Sequence, residues 1–187
     1  MPPKLTDQDW QAAADALGVP VAAIKAVSEV EAPGSGFLAS GEPRILFERH
    51  KFSRHTGGKY DASHPGISTP KRGGYGKESA QHARLQEASA LDRNAALKSA
   101  SFGKFQILGE NYRQAGFDNL QDFVNAMYRS EQAQLKAFVS FILNDSRLLN
   151  ALRGQNWTAF ARIFNGPAFA ENQYDVKLAS AYKRLAA

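Results

Sequence analysis

The amino-acid sequence predicts a mainly α protein of the α+β kind, a helical globular domain with one small extended region near residues 44–52. Two observations carry that expectation. Apolar side chains recur at helical spacing through most of the chain, and residues that start and stop helices bracket the recurrent stretches. Arg44 to Phe52, RILFERHKF, is rich in aliphatic and aromatic residues and bounded by turn formers, as a strand would be. At 187 residues the chain suffices for one full hydrophobic core and is short for two. With neither a repeat nor a linker, residues 1–187 are read as a single domain.

Taken in order, Thr6 suits the N-cap of a helix to Leu17, Asp7 and Asp9 suit its first turn, and Gly18 ends it. Pro20 suits the first turn of a second helix running to about Glu31, which Pro33, Gly34 and Gly36 stop. The strand expected over Arg44 to Phe52 leaves a buried helical turn as its alternative. Ser53 to Gly76 holds six of the fifteen glycines with Pro65 and Pro70, and is expected as a long loop, either functional or mobile. Lys77 to Ala100 reads as helix, with Leu85, Ala88, Leu91, Ala95 and Ala96 on a shared side. Leu120 to Leu143 reads as one long helix. Asn156 is expected to cap a helix carrying Trp157, Phe160, Ala161 and Phe164, which Gly166-Pro167 ends. Tyr174, Leu178, Tyr182 and Leu185 mark a last helix.

Composition removes several classes. No apolar run is long enough to span a bilayer. The first residues, MPPKLTDQDW, lack the basic-then-apolar pattern of a secretory signal. Without cysteine, neither a disulfide framework nor a thiolate zinc site can form. His50, His55, His64 and His82 include no pair at metal-ligand helical spacing, and HExxH is absent, so no metal and no cofactor are expected. The net charge of +5 favours a polyanionic partner or surface, but the basic residues are spread along the chain. No clustered basic helix marks a nucleic-acid binder.

The stretch SEVEAPGSGF holds two glutamates just before a helix break. Helical side chains turn by roughly 100° per residue. Val21, Ile24, Val27 and Val30 define the apolar face, and Glu31 falls within it. Glu29 points almost oppositely, toward Lys25, as a solvated ion pair. A carboxyl on the core side can be a general acid with a raised pKa, or can simply reach past a frayed helix end. The residues alone leave both open for Glu31.

Four segments, VEAPGSGF, ILFERHKF, ASFGKFQILGENY and FNGPAFAENQYDVKLASAY, occur in this order. Together they resemble the N-acetylmuramidase family of phage endolysins, over about Leu5 to Leu185. The resemblance implies a lysozyme-like α-helical fold. It also implies cleavage of the β-1,4 bond between N-acetylmuramic acid and N-acetylglucosamine in peptidoglycan, with Glu31 as catalytic acid. Glu48 and His50, on one face of the expected strand, are the implied second carboxylate or orienting group; the alternative for Glu48 is a structural ion pair with Arg44 or Arg49. Ser101, Gly103, Gln106, Tyr112, Asn165 and Tyr174 are the implied substrate contacts, each with a core or helix-capping alternative. Ala32-Pro33 stands where the family has a small polar residue, and Phe164 where related sequences have Tyr, so those hydroxyls are absent.

The implied partner is the glycan strand, bound by a monomer without nucleic acid, stable membrane insertion or a separate wall-binding domain. The family further implies accumulation in the host cytoplasm and action on the wall once a holin opens the membrane. Two other readings stand beside this one. A lytic transglycosylase would give 1,6-anhydro-muramic acid ends, and a non-catalytic wall- or nucleic-acid-binding module would bind without lysis.

Overall fold

Capping sets the first helix. The Thr6 hydroxyl accepts from the Asp9 backbone N–H, and the Asp9 carboxylate accepts from the Thr6 N–H, so orphan donors at the helix start are satisfied reciprocally. The computed structural model describes residues 3–187; Met1 and Pro2, the start of the stretch read for an export signal, lie outside it. Helix α1 (Asp7–Leu17) ends at Gly18 in the left-handed region, and α2 (Val21–Glu31) follows directly. Ala23, Ile24 and Val27 bury one face of α2, which packs chiefly against the last helix, α9 (Tyr174–Ala186).

The extended region is shorter than expected. Strand β1 (Ile45–Phe47) pairs antiparallel with β2 (Ala100–Phe102), which pairs with β3 (Ile107–Leu108) in a three-stranded sheet of order β1-β2-β3. Phe47 pairs with Ala100, the first residue of β2, and beyond it no partner strand remains. The chain therefore turns at Glu48 into helix α3 (Arg49–His55), and the strand expected through Phe52 is corrected to three residues plus a helix. The Glu48 N–H donates to the Ser99 carbonyl, the last bond of the extended segment. Phe52 is fully buried from α3, against Phe47 and stacked on Tyr60.

Residues 56–76 are tied down. Asp61 accepts from the Ser53 and Ser68 hydroxyls, Tyr60 donates to the Leu91 carbonyl, and Ile67 and Ser68 are buried. Helix α4 (Gln81–Lys98) starts later than expected, after a 3-10 turn at Glu78–Ala80, and is kinked at Asp92, whose carboxylate accepts from the Ala95 N–H. Ala100 belongs to β2, not to the helix.

The long helix expected over Leu120–Leu143 is two helices, α5 (Leu120–Arg129) and α6 (Glu131–Leu143). Ser130 breaks it with extended backbone and caps α6, its hydroxyl accepting from the Ala133 N–H at 3.1 Å. Helix α7 (Ser146–Arg153), capped by Asp145, was not read from the sequence. Asn156 caps α8 (Trp157–Phe164) as expected, accepting from the Ala159 N–H at 3.0 Å. One contiguous core joins these elements from Trp10 to Leu178, with Phe105 stacked on Phe138 at its centre.

Candidate active site

Between the end of α2, the sheet and the turn after α8 lies a cleft of about 450 Å³. Glu31, the last residue of α2, reaches it half-buried. Asn165, which ends α8, donates from Nδ2 to Glu31 Oε1 at 2.7 Å. Burial pushes the Glu31 carboxyl up to about 7, against the opposing effect of that bond. The C-terminal end of α2 also presents partial negative charge, which favours the neutral acid. Glu29 instead faces outward and pairs with Arg184 of α9, not with Lys25 as expected; Lys25 pairs with Asp7.

Glu48 and His50 line the same cleft. Burial raises the Glu48 pKa, while the charges of Lys51 and Arg72 pull it back. His50 Nε2 lies 3.7 Å from Glu48 Oε2, too far for a hydrogen bond. Burial and the same cations lower the His50 pKa, so its ring is neutral at pH 7. Its Nδ1 is buried without a partner, as is Asn165 Oδ1.

On the sheet side, the Ser101 hydroxyl donates to Gln106 Oε1 at 2.8 Å, and Gln106 Nε2 donates to the Gly103 carbonyl at 2.8 Å. Gln106 sits in the left-handed region at φ 48, held there by these bonds across the β2–β3 turn. Its amide hydrogens are taken up inside the protein, which leaves one lone pair of Oε1 for the cleft. Tyr174, at the start of α9, forms another wall; burial first, then the nearby Glu31 and Glu48 carboxyls, push its hydroxyl up to about 12. It stays a phenol.

Two residues expected at the substrate do not line this cleft. Gly103 is buried against the Gln134 side chain, where an added Cβ would come within 2.5 Å of the amide carbon. Its close approach is to protein. Tyr112 packs against the core with Arg113 over its ring. Conversely, Lys51, Arg72, Tyr75, Asn111 and Asn172 line the cleft and were not singled out from the sequence. Tyr75 and Arg72 sit in the glycine-rich stretch whose lack of periodicity hid their placement.

A second network lies behind the site. Glu131, at the start of α6, is 3% exposed and accepts from the Gly36 N–H at 2.7 Å and the Ser35 hydroxyl at 3.0 Å. Lys104 Nζ donates to the Gly34 carbonyl at 2.6 Å and lies 3.8 Å from the Glu131 carboxylate. Arg44 donates to the Ser35 carbonyl at 2.8 Å. These side chains fix the turn that follows Glu31. Gly36 allows the close approach, since a Cβ there would lie 2.3 Å from Gln134 Oε1.

The N-acetylmuramidase family model matches residues 20–186. The chain belongs to the N-acetylmuramidase family. Its fold is also that of the crystal structure of Burkholderia AP3 phage endolysin, with a TM-score of 0.87 and 46% identity. That match covers 100% of this chain and 72% of the other. No curated protein matches in sequence. The lysozyme-like helical expectation thus holds for the fold, and the family to which the chain belongs acts on peptidoglycan. No helix among the described residues is long and apolar enough to cross a membrane, and no cluster of three or more His, Asp or Glu among them could hold a metal.

Proposed function

We propose that the protein is a peptidoglycan hydrolase that cleaves the β-1,4 bond between N-acetylmuramic acid and N-acetylglucosamine, with Glu31 as general acid. The observation that carries this reading is the environment of Glu31: burial in an open cleft, one neutral amide partner, and a pKa near 7. A carboxyl so placed keeps a large protonated fraction at neutral pH, as proton donation to a leaving oxygen requires.

Glu48 takes the complementary role. Burial raises its pKa, Lys51 and Arg72 oppose that rise, and no protein group among the described residues donates a hydrogen bond to its carboxylate, which leaves its oxygens open to water. Two carboxyls in one cleft, one beside cations and one beside an amide, divide into base and acid. Glu31 gives its proton to the glycosidic oxygen as the bond to muramic acid C1 breaks, and the leaving sugar departs with a 4-hydroxyl. Water oriented by Glu48 adds its oxygen to C1 and yields its proton to the carboxylate. Neutral His50 offers a polar contact for that water or for a sugar hydroxyl. Ser101, Gln106, Asn165 and Tyr174 frame the sugars on either side.

On this reading the protein is a phage lysis enzyme working as a monomer without a cofactor. It accumulates in the host cytoplasm and meets the wall once a holin opens the membrane. Likeness to a phage endolysin supports this part. The test is digestion of purified peptidoglycan by wild type and Glu31→Gln, with fragments read by mass spectrometry. Reducing N-acetylmuramic acid ends, lost in the variant, are expected. Anhydro ends would make the enzyme a lytic transglycosylase, and an equally active variant would remove Glu31 from the mechanism.

A further inference from the structure

The cations of the cleft are not equivalent. Lys51 donates to Glu110 at 2.8 Å and is neutralised by it. Arg72 is exposed on the rim, and its guanidinium has no hydrogen-bond or ion-pair partner among the described residues. We propose that Arg72 binds a carboxylate of the glycan strand, so that the cleft selects charged wall glycan over a neutral polymer of N-acetylglucosamine. The proposal rests on the muramidase reading above and adds a specificity determinant to it.

The loop that carries Arg72 is held from behind. Arg49 Nε of α3 donates to the Gly73 carbonyl at 3.0 Å, and Arg84 of α4 donates to the carbonyls of Gly74, at 3.0 Å, and Tyr75. Gln81 Nε2 donates to the Tyr75 carbonyl at 2.6 Å, and Arg84 also reaches the Gly66 carbonyl at 2.8 Å. Gly74 has φ +66, and a Cβ there would lie 2.3 Å from the Arg49 guanidinium. Three side chains from two helices therefore fix consecutive carbonyls of a glycine-rich turn, and the ordering cost is met on folding rather than on binding. The sequence leaves this segment as a functional or a mobile loop; the bonds describe a cleft wall pinned from behind.

Arg72 lines the same cleft as Glu31, Glu48 and His50. Arg72 favours the ionised form of Glu48 and disfavours protonated His50, so it lies within range of both. A β-1,4 polymer of N-acetylglucosamine carries no charge to meet it. Each muramic acid carries a lactyl group that ends in a stem peptide with free carboxylates or, where the peptide has been removed, in its own carboxylate. A guanidinium offers a planar pair of N–H donors that matches such a group.

The test uses soluble, uncross-linked glycan strands and the Glu31→Gln protein, with and without Arg72→Gln, so that cleavage does not intervene. By isothermal titration calorimetry, Arg72→Gln is expected to weaken binding of peptide-bearing strands about three- to tenfold at low salt, the size of one partly solvated charge-assisted bond. The difference shrinks at high salt. Strands whose carboxylates have been converted to amides are expected to bind both proteins equally. Amidase-stripped strands distinguish the source. Loss of the difference confines the contact to the stem-peptide carboxylates, and its retention shows that Arg72 also takes the lactyl carboxylate that stripping frees. Equal affinity for peptide-bearing strands, or the same penalty on amidated ones, overturns the proposal. On otherwise wild-type protein the change is expected in KM; a fall in kcat at constant KM also overturns it. The muramidase reading fails separately, when wild type releases no reducing ends, and the binding comparison decides Arg72 in either case.

Discussion

Glu31, the last residue of α2, and Glu110, inside the 3-10 turn Gly109–Asn111, are both partly buried carboxyls, yet the protein drives them in opposite directions. Burial disfavours the charge on each. At Glu110 that penalty is overcome by Lys51 at 2.8 Å, His55 Nε2 at 2.8 Å and Arg54, and the pKa falls to about 2. At Glu31 one neutral amide opposes burial and fails to cancel it, and the pKa rises to about 7. The difference between a structural carboxylate and a proton donor thus lies in both burial and neighbours: Glu31 is the more deeply enclosed and has one neutral partner, whereas Glu110 is nearer solvent and has three basic ones.

The largest effect that probes this contrast is loss of catalysis. Glu31→Gln keeps shape and the Asn165 contact but has no proton to give, and peptidoglycan cleavage is expected to fall by about 10²–10⁴-fold. Its stability should move the other way. With the folded pKa raised above the ordinary value of 4.5, ionisation of Glu31 costs the folded state stability as pH rises from about 4.5 to 7, and the cost is fully present above 7. Glu31→Gln is therefore expected to be more stable than wild type at pH 8, by on the order of 2 kcal/mol, and equal to it near pH 4. Urea unfolding at the two pH values reads this directly. A variant less stable at pH 8 would mean that the burial of Glu31 carries no electrostatic strain.

Glu131 sharpens the comparison from the structural side. It is more deeply buried than Glu31, and it is paired with Lys104 and hydrogen-bonded to the turn at residues 35–36. Glu131→Gln leaves Lys104 as an uncompensated buried cation, with an expected loss of about 3–5 kcal/mol. Chemical denaturation at pH 7 checks it; a loss under about 1 kcal/mol would show that the lysine finds water instead.

Glu110→Gln is the milder case, because its partners retain solvent access. The expected loss at pH 7 is about 1–3 kcal/mol, with cleavage per folded molecule retained. A depressed folded pKa gives stability that is present above the unfolded value near 4.5 and lost as pH falls through about 2. Wild type and Glu110→Gln should therefore converge in stability as pH drops across that window. A difference that persists undiminished at pH 2 would assign the effect to packing.

These three glutamates also show what the chain discloses before folding. The helical wheel placed Glu31 on an apolar face, and the same wheel places Glu131 and Gln134 with Leu135 and Phe138. Reading Leu120–Leu143 as one uninterrupted helix concealed that Glu131 opens a new one, because Ser130 as a cap has the same local chemistry as an exposed helical serine. The catalytic-family segments were readable as local runs. Arg72, Tyr75 and the ion cluster of Glu110 were not, since each depends on contacts between segments far apart in sequence. The strand through Phe52 failed for a similar reason: β2 supplies no partner beyond Ala100, and that limit lies some fifty residues away.

The smallest expected effect isolates the bond between Asn165 and Glu31. That bond donates to the carboxylate and so favours its ionised form. A general acid is active while protonated, so cleavage falls as pH rises through its pKa. Asn165→Ala removes the donor, raises the Glu31 pKa, and is expected to move the alkaline limb of kcat/KM to higher pH. Glu48 and His50, with Lys51 and Arg72 near them, Tyr75, and Tyr174 on α9 are the other titrating groups facing the cleft, and the variant leaves all of them in place. An alkaline limb that stays fixed while KM rises would reassign the amide to a substrate contact, the role the family resemblance implies. A limb that moves with KM unchanged makes Asn165 the residue that sets the working pH of the acid.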